Sequence, residues 1–209
     1  MRLVADLEAQ GFKLVAGADE AGRGACAGPL VAAAVILGDA DIPGLDDSKR
    51  LSAKKRDELF SMIKWRAKAW AVVSVSPGEC DEMGMQAANL EALRRALLAL
   101  DPVPDFALTD GFGVDGLPMP NLGVWKGDRV AAPVSAASIL AKVSRDRLMA
   151  SLEGEYSGFH FAEHKGYCTA EHQREMVANG VTDIHRLSYG NVKAALAEHQ
   201  SVGLVNHER

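Results

Sequence analysis

Leu30–Leu37 reads LVAAAVIL, an unbroken apolar run of strand length, and it constrains the fold of this chain more than any other segment. It lies within a longer uncharged stretch, Gly24 to Gly38, whose 15 residues include Pro29. A helix that spans a bilayer needs about 20 apolar residues, so the run is too short for a membrane segment and reads as a strand. Other strands accompany it. Lys13–Ala18 (KLVAGA) is short and apolar and then meets Asp19-Glu20 and a glycine-rich turn, while Trp70–Val75 (WAVVSV) is rich in valine. Phe106–Thr109 ends in Asp110-Gly111, and Leu122–Trp125 follows.

Helices alternate with these strands. Ser52–Trp65 is helical in pattern, with Ser52 placed to cap it. Gln86–Leu100 sets Leu90, Leu93, Leu97 and Leu100 on one face and is stopped by Pro102 and Pro104. A third helix starts at Pro133, a residue suited to a first helical position, and runs to about Leu152. Its alanines and serines allow close packing on a sheet. The order implies an α/β chain with a central mixed sheet flanked by helices. From about Tyr156 the sequence turns polar, rich in histidine and helical in patches, so the expected division is 1–155 and 156–209.

Composition sets outer bounds. With 209 residues, 48% of them hydrophobic, the chain can bury a sizeable core without disulfides or a structural metal. Cys26, Cys80 and Cys168 are widely spaced with no C-x-x-C, the pattern of reduced intracellular thiols. Met1–Gly11 has neither the basic start nor the apolar stretch of a signal peptide, so a cytoplasmic protein is expected. A net charge of −5 does not advertise nucleic-acid binding. Basic residues nevertheless cluster, at Lys49, Arg50, Lys54, Lys55 and Arg56, at Lys64, Arg66 and Lys68, and at Lys142, Arg145 and Arg147. Taken alone, each run is a solvated helix face.

The acids carry the sharper signal. Asp19 and Glu20 close the first strand, Asp110 closes a later one, and Asp128 precedes the long helix. Carboxylates at strand ends can face a cleft. Gathered together they repel unless divalent cations neutralise them, and hard oxygen ligands suit Mg²⁺ or Mn²⁺. Two such ions can drive phosphodiester hydrolysis. Each acid also has a plainer reading: Asp110-Gly111 as a turn, Asp128 as a charge near a helix N-terminus, and Asp19-Glu20 as a solvated strand end.

Several motifs, in order, decide between these. GADEAGRGACAGPLVAAAVIL (17–37) resembles the opening signature of the type 2 ribonuclease H family, ribonuclease HII. LDDSKRLSAKKRDELF (45–60) is similar to its D-S-K segment, ALTDGF (107–112) to the strand bearing its third acid, and WKGDRVAAPVSAASILAKVSRDRLM (125–149) to its long helix and preceding loop. EHKGYCTAEH (163–172) and IHRLSY (184–189) resemble its C-terminal motifs, so the likeness spans about residues 13–191.

The resemblance implies a ribonuclease H-like fold, with 1–155 as catalytic domain and 156–209 as a helical extension that contributes to substrate binding. It implies that Asp19, Glu20, Asp110 and Asp128 are catalytic acids holding Mn²⁺ or Mg²⁺, two ions during catalysis. It also implies that Gly22, Arg23 and Gly24, together with Tyr167, recognise a ribonucleotide 2′-hydroxyl, the group that separates RNA from DNA. The plain alternatives are a tight turn for G-R-G and a half-buried packing residue for Tyr167. Lys49 and Lys142 are candidate phosphate contacts, with an i,i+4 pair to Asp146 as the other reading of Lys142. Cys168 stands where the family usually carries glycine, and the tail after Asn191 carries no assignable motif.

The implied activity is an endonuclease acting on RNA/DNA hybrids and 5′ of single ribonucleotides in duplex DNA, leaving 5′-phosphate and 3′-hydroxyl ends. A monomer with no membrane partner is expected. Three rivals stay in view: a ribonuclease H-fold nuclease indifferent to the 2′-hydroxyl, a non-catalytic nucleic-acid binding module, and a zinc hydrolase built on His160, Glu163, His164 and His172. The H-E-x-x-H order is missing from the last.

Overall fold

The structure, a computed structural model, describes residues 2–207, and residues 3–201 with their side chains. In chain order the elements are α1 (Arg2–Ala9), β1 (Val15–Ala21), β2 (Leu30–Ile36), α2 (Ala53–Arg66), β3 (Ala69–Val75), α3 (Pro77–Met83), α4 (Met85–Leu98), β4 (Phe106–Asp110), β5 (Asn121–Val124), α5 (Gly127–Val130), α6 (Ala132–Leu152), α7 (Phe161–His164), α8 (Ala170–Asn179) and α9 (Gly190–His207). Ser52 caps α2 as expected, its hydroxyl accepting the Lys55 N–H. The helix α3, which the hydrophobic pattern does not announce, is set by a capping box between Ser76 and Glu79.

The chain forms two compact units, Met1–Ala21, Val31–Ser74 and Asn89–Ser144 in the first, and Gly22–Leu30, Val75–Ala88 and Arg145–Arg209 in the second. The first holds the mixed sheet, ordered β3-β2-β1-β4-β5. The apolar run becomes β2, buried along its whole length because it is paired on both edges and packed on its faces. Ala33 and Val35 meet Leu59 and Ile63 of α2 and Ala136, Ile139 and Leu140 of α6 in one core. At Gly17 a Cβ would come within 2.1 Å of the Val134 backbone nitrogen, so only glycine lets the start of α6 lie this close to β1.

The first strand differs from the sequence reading in one useful respect. Asp19 and Glu20 lie inside β1, not beyond it. Parallel pairing with β4 stops at Ala18↔Thr109, but antiparallel pairing with β2 continues to Ala21↔Val31.

The second unit has its own core, in which Cys26, Ala27, Met149, Phe159, Phe161, Met176, Val192 and Ala195 pack together. Among the described residues no helix is long and apolar enough to cross a membrane.

Candidate functional site

In the first unit the sheet brings three of the four expected acids together around Asp110. Parallel pairing sets Ala18 beside Thr109, so the next residues along the two strands, Asp19 and Asp110, are neighbours. Asp110 Oδ1 accepts the Gly127 N–H at 2.7 Å, which ties the end of β4 to the first turn of α5, where Asp128 sits. Lys126, in the left-handed conformation with φ of 55°, makes the sharp entry into that turn. Asp19 and Asp128 are buried, while Glu20 and Asp110 are half-buried.

The electrostatics are those of crowded like charge. Burial, then the charges of Glu20 and Asp110, push the Asp19 carboxyl well above its usual range, against the Glu20 N–H and the Ser138 hydroxyl. Burial, then Asp47 and Asp110, push Asp128 up as well, with Lys49 opposing. Successive strand residues face opposite sides of a sheet, so Glu20 joins the group through its charge on Asp19.

Sequence reasoning missed Asp47. Burial alone would raise its carboxyl, but the Lys49 N–H and the Arg129 guanidinium outweigh that and hold it below the usual range. Arg129 Nη2 lies 2.9 Å from Asp47 Oδ2. Asp47 is thus the ionised neighbour that most raises Asp128 after burial. The acid stood in the D-D-S-K segment, where only the lysine drew attention. Lys49 itself is exposed and acts on both Asp47 and Asp128. Lys142 is half-buried on α6 and is not among the main influences on Asp19 or Asp128.

In the second unit two buried arginines shape the G-R-G loop. Arg186 donates to the carbonyls of Gly22 at 2.8 Å, Arg23 at 3.3 Å and Gly28 at 2.9 and 3.1 Å. The Tyr189 hydroxyl donates to Arg23 O at 2.6 Å. Arg145 donates to the carbonyls of Pro29, Ala27 and Lys165 at 2.9–3.0 Å, and its guanidinium lies 5.4 Å from the Tyr167 ring centroid. Gly22 has a φ of +94°, and a Cβ there would stand 1.9 Å from Arg145 Nε, so the glycine is required twice over. The Tyr167 ring borders Gly24, whose virtual Cβ lies 4.0 Å from Tyr167 Cε1. Arg23 reaches out instead, donating to Gln86 Oε1 at 2.7 Å. Arg145 is therefore no part of a solvated basic face. Its charge is spent on backbone carbonyls, and spacing along the helix gave no sign of that.

The histidines are committed to one another. Thr182 N–H donates to His185 Nδ1 at 3.0 Å, which leaves His185 its Nε2 proton to donate to His172 Nε2 at 3.0 Å. His172 then carries its proton on Nδ1 and donates it to Tyr167 O at 3.0 Å. Burial first, and neighbouring imidazoles second, lower both His172 and His185 to about 4, so both are neutral at pH 7. His164 accepts the Gly166 N–H on Nδ1 and donates from Nε2 to Glu175 at 2.9 Å. The zinc set of the rival reading, His160, Glu163, His164 and His172, is not assembled among the described residues. Among the described residues the group with metal-ligand spacing is His160, Glu171 and Glu175, and there His160 Nδ1 already pairs with Glu175 at 2.5 Å.

Comparison with known proteins accords with these features. The family model described as Ribonuclease HII matches residues 16–192. A ribonuclease HII of Cutibacterium acnes is 55% identical over 91% of this chain and 95% of its own, and one of Salinispora tropica is 55% identical over 89% and 70%. The crystal structure of ribonuclease H2 from Pyrococcus horikoshii OT3 superposes with a TM-score of 0.75 at 28% identity, covering 89% of this chain and 98% of that one. With the family model matched across most of its length, the chain belongs to the ribonuclease HII family and is a ribonuclease H enzyme, a nuclease.

Proposed function

We propose that this enzyme hydrolyses the RNA strand of RNA/DNA hybrids and cuts 5′ of single ribonucleotides embedded in duplex DNA, leaving 5′-phosphate and 3′-hydroxyl ends. The observation that carries the reading is that the charge of Asp110 adds to burial in raising both Asp19 and Asp128. Groups that oppose one another's ionisation in this way are arranged for a cation, and their all-oxygen donors fit Mg²⁺ or Mn²⁺ better than softer metals. Asp19, Glu20, Asp110 and Asp128 would hold it. A divalent ion there supplies charge neutralisation at the scissile phosphate and lowers the pKa of the attacking water.

The chain's own groups do the rest. Asp110 is oriented by the Gly127 N–H, so it meets a cation without first reorganising. Asp47, kept ionised by the Lys49 N–H and Arg129, adds to burial in raising Asp128. Lys49, exposed, neutralises backbone phosphate, and Lys142 does the same from α6. In the second unit Gly22, Arg23 and Gly24 offer backbone groups at close range and Tyr167 offers its hydroxyl. Together they read the ribose 2′-hydroxyl without reading the base. Binding energy realised only when a ribose is present confers selectivity in the transition state. The reading extends to a cytoplasmic monomer that removes misincorporated ribonucleotides and hybrid RNA.

The test is cleavage, with Mn²⁺ or Mg²⁺, of an end-labelled DNA duplex holding one ribonucleotide, beside an all-DNA control and an RNA/DNA hybrid. A single metal-dependent cut 5′ of the ribonucleotide, absent from the control, is expected. Cutting of both DNA duplexes would remove the ribose-reading role from Gly22, Arg23, Gly24 and Tyr167. Cutting of neither, by folded protein, would favour a binding module.

A further inference from the structure

Two of the three cysteines flank the residues assigned to ribose reading. Cys26 follows Gly24 by two positions, and Cys168 follows Tyr167 directly. The fold joins these segments. Cys26 N–H donates to Gly166 O at 3.0 Å, and its thiol points at the same carbonyl from 3.5 Å. Cys26 Sγ also lies 3.6 Å from His172 Nδ1, the atom that binds Tyr167 O, the carbonyl bonded to the Cys168 nitrogen. The Cys168 thiol turns to Gln173 Oε1 at 3.5 Å, so the two sulfurs meet consecutive residues of α8. Cys26 is fully buried and Cys168 is exposed. The pair also sense each other: burial first and the neighbouring Cys168 second push the Cys26 thiol up to about 12.

We propose that Cys26 and Cys168 are a reversible disulfide site that ties the G-R-G loop to the Tyr167 segment under oxidation and so switches off ribonucleotide recognition. The oxidant is hydrogen peroxide. The sulfur of exposed Cys168 attacks one peroxide oxygen and the O–O bond breaks, giving a sulfenic acid, and the other oxygen leaves as hydroxide that takes up the thiol proton to become water. The Cys26 sulfur then attacks the Cys168 sulfur, the S–S bond forms, and the sulfenic hydroxyl leaves with the Cys26 proton as a second water. Two thiols and one peroxide become one disulfide and two waters. Burial fixes the order, since Cys26 is shielded from peroxide and, as a neutral thiol, is a poor nucleophile towards anything except a sulfenic acid held beside it.

Closing the bond requires Cys168 to leave Gln173 and turn inward, and Cys26 to leave the Gly166 carbonyl. Tyr167 moves with its neighbour, away from the carbonyl contact to His172 and from Gly24. Misplacing a positioning group by about 1 Å can cost on the order of a hundredfold in rate. The consequence for activity rests on the ribose-reading role proposed for Tyr167. The bridge itself does not.

The experiment treats the whole protein with hydrogen peroxide, blocks remaining thiols, and maps peptides by mass spectrometry without reduction. The expected result is a Cys26–Cys168 cross-link that dithiothreitol removes, with Cys80 still a free thiol. Cleavage at a single ribonucleotide is expected to fall about a hundredfold and to recover on reduction. Cys168→Ser, at an exposed position, is expected to keep full activity through the same treatment. The proposal is overturned if Cys168 oxidises to a sulfinic acid or bridges two molecules while Cys26 stays a thiol. It is equally overturned if the cross-link forms in full and cleavage is unchanged in a protein that is ribose-selective when reduced. A cross-link in a protein that never distinguished ribose would uphold the site and sink only the reading of Tyr167.

Discussion

Asp19 in the first unit and Arg145 in the second are both buried ionisable groups, and their surroundings differ in kind. Around Asp19 the largest charges are two more carboxylates, and two hydrogen-bond donors only partly oppose them. Around Arg145 three backbone carbonyls accept from the guanidinium. Burial lowers it to about 10, which leaves it charged at pH 7. The first arrangement leaves like charge unbalanced within the chain. The second is complete within the chain. A buried charge that lacks partners is costly, whereas one with its hydrogen bonds made is tolerated. The first unit therefore stores its cost where a ligand can relieve it, and the second spends its charge on holding a loop in shape.

The largest effect expected from this contrast is on chemistry. Asp110→Asn keeps the shape of the residue that links Asp19 to Asp128 but removes a carboxylate from the proposed cation site. Cleavage is expected to fall about a thousandfold, with duplex binding, measured by fluorescence anisotropy, nearly unchanged. Rates within about tenfold of the parent across a Mn²⁺ titration would show that the acids are not the catalytic centre.

In the second unit the corresponding loss is of stability. Arg186→Met leaves the carbonyls of Gly22, Arg23 and Gly28 without their donor. A cost of about 3 kcal/mol is expected from urea unfolding, because buried acceptors lose their partner and water cannot replace it. A shift below about 1 kcal/mol would mean the loop holds itself and the contrast between the units is overstated.

These two predictions also mark how far the sequence could be read. The main strands and helices were legible because hydrophobic spacing sets them locally, and the four acids could be proposed because their motifs are contiguous. The coupling of Asp47 to Arg129 was not, since the partners are 82 residues apart and each has an ordinary surface reading. Arg145 misled for a similar reason. Lys142, Arg145 and Arg147 look alike in sequence, yet Arg145 is fully buried while Arg147 is exposed. The histidines left a zinc rival in view that the missing H-E-x-x-H order already weakened, and the fold assigns Nδ1 and Nε2 of His172 and His185 to hydrogen bonds.

A smaller effect separates recognition from chemistry within the contrast. Tyr167→Phe removes one hydroxyl and keeps the ring beside Gly24 and the Arg145 guanidinium. Cleavage at a single ribonucleotide is expected to fall about tenfold, the worth of one hydrogen bond made to substrate, with no change in the unfolding midpoint. An equal loss of stability would make Tyr167 a packing residue.

Acidification probes the neutral side of the second unit. His172 and His185 have their pKa lowered to about 4 from 6.5, first by burial. The unfolded chain therefore takes up these protons before the folded one does. Their contribution to stability is complete above pH 6.5 and is lost as pH falls from 6.5 towards about 4. The ring resonances of both residues are expected to stay in the neutral form at pH 6 by NMR. Titration near 6.5 would break the proton assignment that runs from Thr182 to Tyr167.

The smallest effect reverses the usual sign of a mutation at a buried polar residue. Asp128 is raised by burial, by Asp47 and by Asp110, so its charged form costs stability in the metal-free protein. Asp128→Asn keeps the shape and drops the charge. In chelator at pH 7 the variant is expected to be more stable than the parent by about 1 kcal/mol, the gain typical of relieving a strained functional site. Added Mn²⁺ is expected to narrow or invert the difference, because only the parent retains the full ligand set and gains the whole binding free energy. A variant less stable than the parent in chelator would mean that Asp128 is already satisfied inside the first unit. The two units would then handle buried charge in the same way.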